Sequence, residues 1–148
     1  MPITQVGVFL DNQPGSLFEA ISQLDNNKLK IFALSIAEAG EFGIVRLITE
    51  EPAKAISLLE NAGFNLAKSK KNTEVTAFFS SEQTHLSAVT KLLGDSGINI
   101  EYAYSSAVHV GGKVAMILRP SDLEGAEKLL AAKGVAVLSL ADIKKYFQ

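Results

Sequence analysis

The stretch TQVGVFLDNQPGSLFEAISQL (residues 4–24) joins an apolar run, a polar turn and an amphipathic pattern. Its first apolar residues, Val6, Val8 and Leu10, alternate with other residues as on one face of a strand. The later ones, Leu17, Ile21 and Leu24, recur at the spacing of one face of a helix. Between these two periodicities lies DNQPGS, which has more polar groups than a tight turn requires. The stretch therefore predicts a strand, a loop and a helix, in that order.

The same apolar skeleton recurs further along the chain. Val6 and Val75 are 69 residues apart, and the same offset relates Leu17 to Leu86 and Leu24 to Leu93. AISLLENAGF (55–64) likewise matches AEKLLAAKGV (126–135) at an offset of 71, so two extra residues lie in a loop near Gly40 or Gly111. This repeat predicts two copies of one structural unit, as domains at 1–70 and 71–148.

Each copy has a β-α-β-β-α-β pattern. In the first copy the segments are 3–10, 17–24, 29–40, 44–49, a helix opened by Glu51 and Pro52 and stopped by Gly63, and 64–69. In the second copy they are 74–80, 84–95, 98–108, 113–119, 122–132 and 134–140. The final ADIKKYFQ (141–148) is compatible with either a turn of helix or an edge strand.

This order is that of the ferredoxin-like fold, so the predicted class is α+β with two units in tandem. Right-handed crossovers put both helices of a unit on one face of a four-stranded antiparallel sheet. Such a sheet has open edges, which invite pairing. We therefore expect the two antiparallel sheets to be joined side by side, with AKSKKNT (67–73) as the connection.

Composition excludes several classes of protein. The chain is 47% apolar and 20% charged, which is typical of a globular protein. Its net charge is −2, and KSKK (68–71) is its densest basic stretch, which argues against nucleic acid as a partner. Without cysteine there is no disulfide or thiolate metal site. The first residues do not resemble a signal peptide, and no apolar run approaches the roughly 20 residues of a membrane span. We expect a soluble cytoplasmic protein with no membrane partner.

Required residues also separate the functions known for ferredoxin-like proteins. A heavy-metal carrier needs a Cys-x-x-Cys turn, and the chain has no cysteine. An RNA-recognition module needs adjacent aromatic residues on its central strands, and GIVRLIT (43–49) has none. An acylphosphatase-like enzyme needs an arginine in the first loop, which DNQPGSL (11–17) lacks. The sequence therefore argues against all three of these functions.

Two motifs point to a fourth family. DNQPGSL directly after the first strand and GINIEYAYSS (97–106) in the second copy, together with the βαββαβ repeat, resemble the ACT domain. ACT domains are small regulatory modules that bind amino acids in metabolic proteins. The resemblance implies a protein that is not an enzyme, has no cofactor, and binds an amino acid to regulate a metabolic enzyme or other protein. The alternative is a structural or subunit-interaction module without a ligand.

The first loop has the chemistry that an amino acid requires. Pro14 suits the first position of a helix, and Gly15 removes a side chain where a ligand could approach the backbone. The N–H groups of the following helix attract a carboxylate, while Asp11 and Asn12 offer acceptors for an ammonium group. The alternative is that Asp11 or Asn12 is only a helix cap. The candidate ligand residues of this loop are Asp11, Asn12, Gln13, Pro14, Gly15, Ser16 and Leu17.

The corresponding loop of the second copy, SSEQTHL (80–86), has neither proline nor glycine. Its residues predict a simple helix cap, led by Ser80 or Ser81, and Glu82 places negative charge where a ligand carboxylate would lie. We therefore expect one good site and an unequal pair of units.

The resemblance implies that the partner of the first loop is the strand at 98–106 of the second copy. Its candidate ligand residues are Asn99, Tyr102 and Tyr104. The alternation of this strand puts the two tyrosines on one face and Asn99 on the other. Ordinary packing is the alternative for the tyrosines.

No residues have the pattern of a catalytic or metal site. His85 and His109 lack carboxylates at ligand spacing, and no nucleophile-base pair or phosphate loop is present. We therefore expect no metal. Exposed helices or sheet edges make a homodimer a possible assembly.

Overall fold

The computed structural model describes residues 2–82, 84–107 and 109–147. They form two compact units. The first unit is Thr4–Thr73, and the second comprises Pro2, Ile3 and the residues from Glu74 onward. The expected joining of the two sheets side by side stays a prediction.

The first unit has four strands, two long helices and a short terminal helix. Its strands are β2 (Val6–Asp11), β3 (Ile31–Ala39), β4 (Phe42–Thr49) and β5 (Asn65–Leu66). Its helices are α1 (Ser16–Asp25), α2 (Pro52–Asn61) and α3 (Lys70–Thr73). The sheet of the second unit contains β1 (Ile3–Thr4), whose Thr4 is the first residue of the first unit, β6 (Glu74–Ser80), β7 (Ile100–Ser105) and β8 (Val114–Pro120). Its helices are α4 (Leu86–Asp95), α5 (Leu123–Ala132) and α6 (Leu140–Tyr146).

The two four-stranded sheets confirm the tandem ferredoxin-like prediction. Strands follow the order β3-β4-β2-β5 in the first unit and β7-β8-β6-β1 in the second. The pairs β2–β4, β3–β4, β6–β8 and β7–β8 are antiparallel. In both units the strand before the first long helix is central, and β3 or β7 lies at the sheet edge.

Apolar residues of the strands and helices form a separate core in each unit. In the first unit the fully buried members include Val8, Leu24 and Leu59. In the second they include Phe78, Leu93 and Leu130. Leu24 and Leu93, which the 69-residue repeat matched, are both fully buried. The positions that the repeat matched therefore indicated residues that face the core of each unit.

The ends of α2 agree with the sequence signals. Pro52 is the first helical residue, and Glu51 precedes it as the N-cap. Beyond the helix, Gly63 has a φ of 90° and donates its N–H to the carbonyl of Glu60. A left-handed glycine is a common way for a helix to end.

The last part of the second unit differs from the prediction. A strand was expected at 134–140, but only an isolated bridge pairs Val137 with Phe78. The N-terminal strand β1 joins this sheet instead, next to β6. The undecided tail is helical as α6, and Gln148 lies outside the described residues. Ser139 begins this helix with a capping box, which competes with extending the strand.

Candidate functional site

The turn between β2 and α1 is fastened to the β3–β4 hairpin. The backbone N–H of Asn12 donates to the Glu41 carbonyl over 2.8 Å. The side-chain amide of Asn12 donates to the Gly40 carbonyl at 3.1 Å and to Glu38 Oε1 at 3.4 Å. Asn12 is thus a donor to the hairpin, whereas the sequence suggested an acceptor for a ligand.

The first turn of α1 lacks a side-chain cap. Gly15 is the N-cap, with a φ of 89°, and no side chain accepts a hydrogen bond from the first N–H groups. The alternative role of Asp11 or Asn12 as a side-chain cap of this helix therefore does not occur. Pro14 was expected at the first helical position, but the helix begins at Ser16, so Pro14 lies inside the turn. The N–H of Ser16 donates to the Gln13 carbonyl at 3.3 Å, and the other N–H groups of the first turn, which no side chain caps, leave this helix end able to bind an anion.

A cleft of ≈ 250 Å³ lies between this turn and the hairpin. One part of its wall is apolar and is formed by Leu10, Leu17, Ile36, Phe42 and Val45. The other part is polar and is formed by Asp11, Asn12, Gln13, Ser16 and Glu38, with Gly43 completing the lining. The cleft therefore combines two carboxylates, a helix N-terminus and an apolar surface.

Five of the predicted loop residues line this cleft, namely Asp11, Asn12, Gln13, Ser16 and Leu17. Pro14 and Gly15 belong to the same turn but not to the lining. Their turn brings the end of β2 and the start of α1 against one cavity. Ligand contact by each of these residues stays a prediction.

The hairpin residues of the cleft were missed in the sequence. In the sheet register Leu10 and Glu38 both pair with Gly43, and Asp11 pairs with Phe42. The end of β2 and the β3–β4 turn are therefore adjacent although about 30 residues separate them. The glycines at 40 and 43 indicated the hairpin, but only the register shows that Glu38 and Ile36 reach the loop.

The predicted residues of the second unit lie on or beside β7. Tyr102 and Tyr104 are half-buried and alternate with exposed residues, which confirms that they share one face of the strand. Asn99 is exposed, and its backbone N–H donates to Ser121 Oγ at 3.0 Å. The part of these three residues in ligand binding stays a prediction.

The loop of the second copy is built differently from the first. Ser81 N donates to the Thr84 carbonyl at 3.0 Å, and Thr84 N donates to Ser81 Oγ at 3.2 Å. Helix α4 begins only at Leu86, with His85 as its N-cap and no side-chain cap. The predicted cap by Ser80 or Ser81 was therefore wrong, because Ser81 binds within its own loop. Gln83 of this loop lies outside the described residues.

A second, more polar cleft of ≈ 290 Å³ lies on another side of the same turn. Leu10, Asp11 and Ser16 line both clefts, and of these two clefts Glu19 and Asn65 line only the polar one. Across residues 2–82, 84–107 and 109–147, no three His, Cys, Asp or Glu side chains are grouped so that they could hold a metal ion. In the same ranges no helix has the length and hydrophobicity needed to span a bilayer.

Similar structures agree with this architecture. A crystal structure of protein BT0572 from Bacteroides thetaiotaomicron superimposes with a TM-score of 0.85 at 29% identity, covering 97% of this chain and 96% of that one. The regulatory subunit of aspartate kinase from Thermus thermophilus, in its ligand-free form, gives a TM-score of 0.59 at 12% identity over 87% and 91% of the two chains. The corresponding subunit from Thermus flavus gives 0.55 at 13% identity over 98% and 92%.

At 12% and 13% identity, the two aspartate kinase subunits are similar to this chain in fold alone. A comparison with curated protein sequences returns no match. The sequence model that describes an ACT domain pair matches residues 1–146, which is nearly the whole chain. With its two ferredoxin-like units in tandem, the chain belongs to the family of ACT domain pairs.

Proposed function

We propose that this chain is a regulatory protein that binds an amino acid in the cleft beside residues 11–17 and signals to a partner enzyme. The observation that carries the proposal is the composition of that cleft. It joins an uncapped helix N-terminus, two carboxylates and an apolar wall in a space of ≈ 250 Å³. This volume is slightly below the range of about 300–1,000 Å³ that is usual for drug-sized ligands.

An amino acid matches this arrangement in both of its charges. Its carboxylate would accept from N–H groups of the first turn of α1 beyond that of Ser16, where the helix dipole is positive. Its ammonium group would lie near Asp11 and Glu38, which are both exposed and line the cleft. The two carboxylates would repel a bare phosphate. The charges therefore favour a zwitterion.

Regulation requires that the ligand favour one conformation of the protein over another. The cleft is bounded by the turn on one side and the β3–β4 hairpin on the other, held together by the three hydrogen bonds of Asn12. A bound ligand would add contacts to both and would stabilise their closed arrangement. The fold shared with regulatory subunits of aspartate kinase supports an enzyme as the partner.

Asp11→Asn tests the predicted ammonium contact. A hydrogen bond to a charged group contributes about 1.5–3 kcal/mol, so we expect calorimetry to show binding weakened at least about tenfold. No side-chain hydrogen bond or ion pair of Asp11 occurs within residues 2–82, so the melting temperature without ligand should not change. Glu41→Gln is the matched control, because Glu41 lies in the adjacent hairpin but does not line the cleft. Equal weakening by both variants would contradict the proposed contact.

The ligand itself is found by a thermal-shift screen of the twenty common amino acids. At about 100 times its dissociation constant a ligand stabilises the protein by about 2.7 kcal/mol. For a chain of this length we expect the melting temperature to rise by about 5 °C or more. If no amino acid changes it at millimolar concentration, the proposed function is wrong.

The second candidate function is a subunit-interaction module without a ligand. It is favoured by the edge strand β3, where Leu34 is 37% and Ile36 is 54% exposed. Exposed apolar edge strands pair readily with other chains, including a second copy in a homodimer. A negative amino-acid screen together with a dimer or larger assembly in light scattering would favour this candidate.

A further inference from the structure

The apolar residues that line the cleft come from four elements. Leu10 comes from β2, Leu17 from α1, and Ile36 and Val45 from β3 and β4. Leu10 and Val45 belong to the core and are 8% and 1% exposed, whereas Ile36 is half-exposed. The core of the first unit thus extends into the floor of the cleft and meets solvent there.

We propose that this cleft selects amino acids with an aliphatic side chain, of the size of valine, leucine or isoleucine. This inference rests on the proposed function and adds the class of ligand. The carboxylate and ammonium groups of the ligand would lie at the α1 N-terminus and at Asp11 and Glu38, and its side chain against Leu10, Leu17 and Ile36. These three side chains are apolar, and they make up most of the apolar residues that line the cleft.

The volume agrees with this class of ligand. An apolar cavity of about 150 Å³ holds benzene, which has six carbon atoms. In proportion, ≈ 250 Å³ accommodates about ten non-hydrogen atoms. Leucine and isoleucine have nine and valine has eight. A glycine or alanine would leave much of the apolar wall without contact.

Charged side chains fit this cleft poorly. The second ammonium group of lysine would have to leave water beside Leu17 and Val45, because Asp11 and Glu38 would already face the α-ammonium group of the ligand. The second carboxylate of aspartate or glutamate would add negative charge to a cleft that already contains Asp11 and Glu38. A side chain with a hydroxyl or an amide would instead favour the polar cleft lined by Glu19 and Asn65. The relative affinities of the protein for different amino acids therefore show which of the two clefts holds the side chain of the ligand.

Calorimetric titration of the wild type with alanine, valine, leucine, threonine and lysine tests the inference. Each additional buried carbon should tighten binding about fourfold, so affinity should rise from alanine to valine to leucine. Valine and threonine have the same shape, and the hydroxyl of threonine should weaken its binding about tenfold or more. Lysine should not bind measurably.

A pair of variants on β3 locates the side chain of the ligand. Ile36→Ser should weaken leucine binding about tenfold and alanine binding much less, because Ile36 would touch only the longer side chain. Leu34→Ser is the matched control. Leu34 is exposed on the same edge strand, two residues away, but does not line the cleft. It should leave both affinities unchanged.

The outcomes separate this inference from the proposed function. If threonine, lysine or an acidic amino acid binds most tightly, or if Leu34→Ser weakens leucine binding as much as Ile36→Ser does, the aliphatic selection is wrong while amino-acid binding stands. If none of the twenty amino acids binds, the proposed function fails first. Leucine-class binding that depends on Ile36 but not on Leu34 supports both.

Discussion

At the scale of the residue, Gly15 determines how the chain passes from β2 into α1. Its φ of 89° lies in the left-handed region, where a side chain is strained. No atom lies within 4 Å of the position that a Cβ at Gly15 would take. Gly15 is therefore required for its backbone conformation and not for space. The turn that it allows leaves the helix N-terminus uncapped beside the cleft.

Gly15→Ala should lower the free energy of unfolding by about 1–2 kcal/mol, the usual cost of a left-handed alanine. Chemical denaturation measures it. Gly94→Ala is the matched control, because Gly94 also has open space around it but lies inside α4 with helical geometry. There alanine should stabilise the protein by up to about 1 kcal/mol. The same sign for both variants would contradict the conformational explanation.

Single residues were predictable where a local signal exists. Asp11, Ser16 and the other loop residues were found because glycine, proline and polar groups between two apolar periodicities mark a special turn. Ile36 and Glu38 gave no such signal, because an apolar or acidic residue on a strand is ordinary. Only their pairing register with β4 brings them to the cleft. A short sequence motif does not indicate the register in which two strands pair.

At the scale of the element, α6 shows how a helix start is fixed by two reciprocal bonds. Ser139 N donates to Asp142 Oδ2 at 2.8 Å, and Asp142 N donates to Ser139 Oγ at 3.1 Å. Hydrogen bonds from the backbone and hydroxyl of Ser139, the backbone one being stronger, lower the pKa of the Asp142 carboxyl below its ordinary value. The charged form of Asp142 therefore stabilises the folded helix.

This lowered pKa predicts a pH dependence. Because the carboxyl is more acidic in the folded chain, its contribution is fully present above the unfolded pKa of about 4 and is lost as pH falls through the folded value. Asp142→Asn should therefore destabilise the protein at about pH 7 and have a smaller effect at about pH 3. Denaturant unfolding at the two pH values measures the difference.

Asp25→Asn is the control for this pH effect. Asp25 is an exposed carboxylate at the last residue of α1, where a negative charge is not favoured by the helix dipole. Its removal should not destabilise the protein at either pH. If Asp142→Asn has the same effect at both values of pH, the charge of Asp142 is not what stabilises α6.

The elements were predictable in type and less so in their ends. Every long strand and helix of the repeat occurs, because each has a clear period of two or 3.6 residues. The segment at 134–140 was different, since GVAVLSL (134–140) is apolar and alternates yet makes one isolated bridge. The neighbour of β6 at this edge of the sheet is β1, from the other end of the chain. No local pattern in the sequence reveals that β1 takes this place.

At the scale of the whole molecule, the start of the chain belongs to the second unit. Strand β1 is the outer neighbour of β6, and Ile3 is 1% exposed. The unit formed by Thr4–Thr73 therefore stands in sequence between two strands of the same sheet. The repeat predicted two units, but a two-residue strand is too short to have a period that could be recognised.

Ile3→Ala should destabilise the second unit. Removing a fully buried isoleucine side chain costs about 2–5 kcal/mol. Hydrogen exchange should become faster in β6 and β8, while β2 in the first unit stays protected. Thr4→Ala is the control, because Thr4 is the exposed neighbour on the same strand and should change little. Faster exchange in β2 alone would contradict the assignment of β1 to the second sheet.

The close approach of the two ends of the first unit has a consequence for the order of folding. Gln5 N donates to the Thr73 carbonyl at 2.8 Å, so the chain enters and leaves the first unit at neighbouring positions. For an unfolded segment, bringing β1 to β6 would mean closing a loop of 70 residues, at an entropic cost of about 4 kcal/mol. Once the segment has folded, that closure is already made. We therefore expect the first unit to act as an internal template, which must be in place before the second sheet gains its outermost strand.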